Sequence, residues 1–86
     1  MGLDFVELIL ETEKKFEIEV KDNDAPQLVI VGDMYNYVCN CLRLKGEHLD
    51  ATEIWNRLVD IYVHQLGVDP TEVQLTTHIV NDLGAL

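Results

Sequence analysis

The sequence predicts an all-α fold, a small bundle of three longer helices and one short helix in a single domain. Three observations carry this. Blocks near residues 3–16, 34–42 and 52–66 repeat apolar side chains every three or four positions, the period of a helix packed on one side. The one alternating run, Glu17-Ile18-Glu19-Val20, has no second run to pair with, and a lone strand makes no sheet. Clusters of Gly, Pro and Asp separate the blocks, as helix starts and stops require.

The first helix is predicted over Leu3 to Phe16, with Phe5, Leu8, Ile9, Thr12 and Phe16 on its core stripe. Asp4, Glu7, Glu11 and Lys14 form a polar stripe at the same spacing. A third line, Leu3, Val6 and Leu10, is also apolar. It is either a wider buried face, the plainer reading, or an exposed patch beside acids. A polar loop follows at residues 21–24, and Pro26 suits the first turn of a short helix capped by Asp22 or Asp24. Gly32 and Asp33 open the next helix, whose stripe is Met34, Tyr37, Val38, Cys41 and Leu42.

Residues 43–50 are charged, contain Gly46 and read as a linker. Asp50 or Thr52 caps the third long helix, with Glu53 in its first turn. Its stripe is Ile54, Leu58, Ile61, Tyr62 and Leu66, and Gly67 ends it. Asp69-Pro70-Thr71-Glu72 combines an Asp cap, a proline at the first position and a glutamate at the third, which starts a helical turn. Residues 73–86 read as a long loop with a turn or two, anchored by Val73, Leu75, Ile79, Val80 and Leu83.

Composition bounds the function. The chain has 86 residues, 48% apolar and 26% charged, too apolar for a disordered segment. Its apolar runs are far shorter than the roughly 20 residues that span a bilayer. No basic region followed by an apolar one opens the chain, so no secretory signal is expected. Cys39 and Cys41 are too few to staple a secreted mini-fold, which points to a reduced, cytoplasmic setting. The net charge is −10. Such a surface repels a phosphate backbone or an anionic bilayer, so neither nucleic acid nor membrane is an expected partner. Proteins with basic patches are, unless the acid serves only solubility.

No constellation for catalysis or metal binding stands out. Asp22-x-Asp24 begins like a calcium loop but lacks its glycine and distal glutamate. Cys39 and Cys41 point apart at helical spacing with no histidine cluster, so they read as buried, inert thiols rather than zinc ligands. His48, His64 and His78 are scattered and read as surface or boundary residues. Asp22 and Asp24 stay solvated and ionised, whereas acid–base work needs a pair whose pKa values are pushed apart. An enzyme is not expected.

Two stretches resemble one family in inverted order. Leu3-Asp4-Phe5-Val6-Glu7-Leu8, then Phe16-Glu17-Ile18-Glu19-Val20 and residues 22–25, resemble the second helix and following loop of acyl carrier proteins. Val31-Gly32-Asp33 and Tyr37-Val38 continue into that family's last helix. Gln65-Leu66-Gly67-Val68-Asp69-Pro70-Thr71-Glu72-Val73 and Val80-Asn81-Asp82-Leu83-Gly84-Ala85 resemble its first helix and long first loop. The resemblance implies an acyl-carrier-like bundle in circularly permuted order. Residues 1–42 then correspond to the family's C-terminal half and 51–86 to its N-terminal half. Residues 43–50 rejoin the old ends, across at most ~26–29 Å when extended. The order fits a permuted gene, a window cut across a tandem carrier array, or an engineered or truncated chain.

In the family, phosphopantetheine is attached to a serine just before the second helix. Here Met1-Gly2-Leu3-Asp4 stands at that place and the chain contains no serine. Gly2 therefore takes the prosthetic-group position without a nucleophile, and no cofactor is expected on this chain. None of the threonines lies in a comparable setting. The resemblance also makes the second helix the recognition surface. It implies that Leu3, Val6 and Leu10 contact acyl-carrier-dependent enzymes of fatty-acid or polyketide synthesis, with Asp4, Glu7 and Glu11 as the charged frame. Lys14 and Lys15 stand where many carriers keep acids. The alternative is a non-carrying interaction domain of the same fold. The helix at 52–66 should pack antiparallel to that at 3–16 within a monomer. A domain-swapped dimer exchanging halves through residues 43–50 is the competing arrangement.

Overall fold

Helix α1 spans Leu3–Phe16 in the computed structural model, which describes residues 3–85. Its expected stripe is the buried one: Phe5, Leu8, Ile9, Thr12 and Phe16. Thr12 belongs there because its hydroxyl donates to the Leu8 carbonyl one turn back, at 2.8 Å, so no polar atom is stranded. The helix stops where Glu17 takes a positive φ of 53°. Lys45 reaches across and donates to the Glu17 carbonyl at 2.6 Å. A cation there satisfies an orphan carbonyl and complements the negative end of the helix dipole.

Residues 17–20 form no strand. Pro26 does start a short element, the 3-10 turn Ala25–Gln27, and Asp24 stands at its N-cap position, though without a side-chain capping bond. The carboxylate of Asp24 instead accepts from the Tyr37 hydroxyl at 2.9 Å. Helix α2, Val31–Leu44, begins before Gly32 and runs two residues into the expected linker. It buries Val31, Met34, Val38 and Leu42, while Tyr37 and Cys41 are only half-buried. Helix α3, Ala51–Leu66, is capped by Asp50, whose carboxylate accepts from the Thr52 amide. Gly67 ends it in the left-handed region at φ 66°, a conformation open to glycine without a Cβ penalty. Ile54, Leu58, Ile61 and Tyr62 are buried and Leu66 half-buried.

Both α1 and α2 pack on α3. Lys15 and Phe16, late in α1, share a cleft with Leu49, just before α3, and Arg57 in its first half. Glu7 and Leu10, early in α1, share another with Gln65 at its end. The two helices therefore run antiparallel, as expected. The Tyr35 ring of α2 meets Trp55 of α3 edge-on at 5.6 Å, a favoured aromatic geometry. Phe5, Leu8, Val31, Val38, Leu58 and Tyr62 lie in a single core. Each such side chain contributes about 1.5–3 kcal/mol by leaving water. The radius of gyration, 11.9 Å, equals the ~12 Å expected for a compact domain of this length.

The tail is more ordered than a loop. Asp69 heads the 3-10 turn Pro70–Glu72 with a reciprocal capping box. Beyond it the chain runs antiparallel to residues 29–32, with a β-bridge between Ile30 and His78. The Val31 amide donates to Thr77, Gly32 to Leu75 and Ile79 to Val29, all within 2.8–2.9 Å. Val73 and Ile79 are buried and Leu83 half-buried, as anchors should be. Leu75 and Val80 are exposed instead, each lying in a turn on either side of the bridge rather than on a paired strand. Among the described residues the fold is all-helical and carries no strand longer than that bridge. No helix is long and apolar enough to cross a membrane.

Candidate functional site

Among the described residues, the outward face of α1 is where three large apolar side chains line up in solvent. Leu3 is 70% exposed, Val6 41% and Leu10 58%. Of the two readings of this line, the structure selects the exposed patch. The reason lies in helix geometry. The buried stripe through Phe5, Leu8, Ile9, Thr12 and Phe16 already fills the contact with α3 and the core, and a face about 100° wide suffices for that. Single exposed apolar residues are ordinary, but three in register on one helix make a patch.

Acids frame the patch. Glu7 is exposed, and Asp4 and Glu11 are half-buried on the same helix. Further along, Lys14 and Lys15 are exposed, so the sign of the charge reverses within the helix. Beside the stripe, Val6, Ile9, Leu10, Val20 and Ala25 line a cleft of about 320 Å³ together with Glu13 and Asp22. Glu13 builds one wall, because its carboxylate accepts from the Val20 amide at 2.8 Å. That bond folds the segment after α1 back along the helix. Sequence reading gave Glu13 no part, since a carboxylate seven residues from its amide partner leaves no periodic signal.

Gly2, expected at the prosthetic-group position, lies outside the described residues, as does Met1 beside it. The hydroxyls present do not fit attachment of phosphopantetheine. Thr12 and Thr77 are buried and donate to the carbonyls of Leu8 and Glu72. Thr71 is engaged with Asp69 at 2.7 Å. Thr52 lies in the first turn of α3 and Thr76 in an exposed turn of the tail, neither in an Asp-Ser-Leu-like setting.

The other sequence candidates fall elsewhere. Cys39 and Cys41 are free and half-buried rather than buried. Burial still pushes the Cys41 thiol up, with Asp24 adding to the effect, so little reactive thiolate forms. His48 and His64 are exposed and His78 half-buried. Among the described residues no group of three or more His, Cys, Asp or Glu side chains converges as a metal site.

Over 39 residues the chain is 53% identical to the acyl carrier protein of Campylobacter jejuni (strain RM1221), covering 45% of this chain and 51% of that protein. The acyl carrier protein of Campylobacter lari (strain RM2100) is 47% identical over 39 residues with the same coverage. That of Campylobacter concisus (strain 13826) is 47% identical over 37 residues, 43% of this chain and 48% of the relative. The chain spans about half the length of the curated relatives it matches. These relatives are all named as acyl carrier proteins. No protein-family model matches the chain, and no solved structure matches it.

Proposed function

We propose that this chain is an acyl-carrier-like domain of fatty-acid or polyketide biosynthesis that docks on acyl-carrier-dependent enzymes through α1 and carries no phosphopantetheine itself. The single observation behind the docking surface is the exposed line of Leu3, Val6 and Leu10 flanked by Asp4, Glu7 and Glu11. Similarity to acyl carrier proteins supports the family level. A net charge of −10 favours steered encounter with basic enzyme surfaces.

In this reading the chain is a circular permutant. Its first half corresponds to a carrier's second, third and last helices, and α3 with the tail to the first helix and long loop. Antiparallel packing of α1 on α3, and the return of the tail to residues 29–32, support the inverted order within one chain. Gly2 then replaces the modified serine. With no serine in the chain, the transfer of phosphopantetheine has no hydroxyl to act on at that position.

Two measurements address the two parts. The protein is incubated with coenzyme A and a broad phosphopantetheinyl transferase, and its mass is recorded. The mass stays unchanged; a gain of one phosphopantetheine overturns the non-carrying assignment. Binding to an enzyme that acts on the Campylobacter jejuni carrier is then compared between the protein and its Glu7→Lys/Glu11→Lys variant. Two reversed charges weaken binding by roughly tenfold, at up to ~1 kcal/mol for each exposed pair. Equal binding of the two proteins overturns the α1 surface.

A further inference from the structure

The last turn of the tail is held by a histidine. The Asp82 amide donates to the His78 carbonyl at 2.8 Å, Gly84 to Val80 at 3.0 Å and Ala85 to Ile79 at 2.9 Å. At the head of this turn the His78 Nδ1 lies 3.2 Å from the Val80 amide nitrogen and 3.1 Å from that of Asn81. Both amides are donors, so Nδ1 must be bare and the ring proton must sit on Nε2. In return, the His78 amide donates to the Asp82 carboxylate at 2.8 Å. The arrangement does the work of an N-cap, where a side-chain acceptor satisfies the first free amides of a turn. Serine, threonine or aspartate ordinarily supplies that acceptor, and the acceptor of a hydroxyl survives at any pH. That of an imidazole does not.

We propose that His78 is a pH-operated latch on the 78–85 segment: neutral imidazole caps the turn, and protonation of Nδ1 releases it. A protonated Nδ1 is a donor facing two donors, so both bonds are lost at once. Besides the ring itself, the ionisable side chain within residues 78–85 is Asp82. The paired segment, residues 29–31, carries no ionisable side chain, and the next group along it is Asp33 in the first turn of α2. The charged ring is drawn to the Asp82 carboxylate, which competes with the bond that carboxylate makes to the His78 amide. The turn is therefore loosened from both ends. Ile79 and Ala85 are buried when it is closed, so opening detaches the last apolar anchors of the tail from the core.

The test is NMR of ¹⁵N-labelled full-length protein between about pH 8 and about pH 5, with His78→Asn alongside. Asparagine supplies a capping oxygen that does not titrate. At the upper pH the His78 ring shows a bare Nδ1. On acidification the amide resonances of Val80, Asn81 and Ala85 move with the ring's own midpoint, and Ala85 loses its exchange protection. In His78→Asn those amides stay still and Ala85 stays protected. Three results overturn the latch: Nδ1 carrying the proton at pH 8, amides that stay put while the ring titrates, or the same amide shifts in His78→Asn. The last would show that the shifts do not report on the His78 ring.

Discussion

Tyr62 and Gly32 show how far a single residue can depart from its sequence pattern. Tyr62 sits on the core stripe of α3 and is fully buried, yet its hydroxyl has no hydrogen-bond partner. Burial alone pushes its ionisation well above the ordinary tyrosine range, so it remains neutral and simply lacks a partner. An unpaired buried hydroxyl costs about 1–3 kcal/mol, while the ring itself fills the core. Tyr62→Phe therefore stabilises the fold by about 1 kcal/mol, read as a higher urea midpoint at unchanged slope. A lower midpoint would mean that the hydroxyl has a partner. Gly32 reads as helix punctuation, but a Cβ there would stand 2.6 Å from the Leu75 carbonyl oxygen. That carbonyl also accepts the Gly32 amide at 2.8 Å. In an open helix Gly→Ala gains up to about 1 kcal/mol. Here the clash is with backbone, which cannot swing aside, so Gly32→Ala loses about 1–3 kcal/mol instead. Denaturant unfolding of the variant decides the sign.

Among the elements, the capped ones behaved as the residues foretold. Asp50 at α3, Gly67 at its end and the box from Asp69 to Glu72 are local interactions, complete within a few residues. They yield a pH prediction. The Asp69 carboxyl is held below its usual value by the Thr71 amide, and next by the Thr71 hydroxyl. A folded-state value below the unfolded one means that the contribution is fully present above the ordinary aspartate range, about 3.9. It is lost as the pH falls through the lower folded value. The stability difference between the protein and Asp69→Asn should therefore be larger at neutral pH than at about pH 3. A difference independent of pH would show that the Thr71 bonds do not favour the carboxylate. The start of α2 and the missing capping bond at Asp24 differ from expectation for the opposite reason. Val31 is drawn into the helix by burial and by its bond to Thr77, and Asp24 is taken by Tyr37. Both partners are distant in sequence.

At the scale of the whole molecule, charge sets one further expectation. Nine acids against three lysines lie within residues 1–33, and their mutual repulsion opposes compaction. Raising monovalent salt from about 0.1 M to 1 M shortens the Debye length from about 10 Å to 3 Å, so the melting temperature should rise. A flat or falling response in calorimetry would show the charge too dispersed to matter. The sequence by itself determined the all-helical class, the extents of α1 and α3, their buried stripes and the composition of the α1 face. These follow from periodicity and from caps, which are encoded by neighbours along the chain. Only the tertiary structure decided that Leu3, Val6 and Leu10 face solvent. A helix with apolar residues on two lines can bury either, and the choice falls to whichever partners pack against it. It likewise decided that the tail pairs with residues 29–32, that Glu13 walls the cleft and that His78 caps a turn. Each of these joins groups through backbone amides or across long separations, where side-chain pattern leaves no trace.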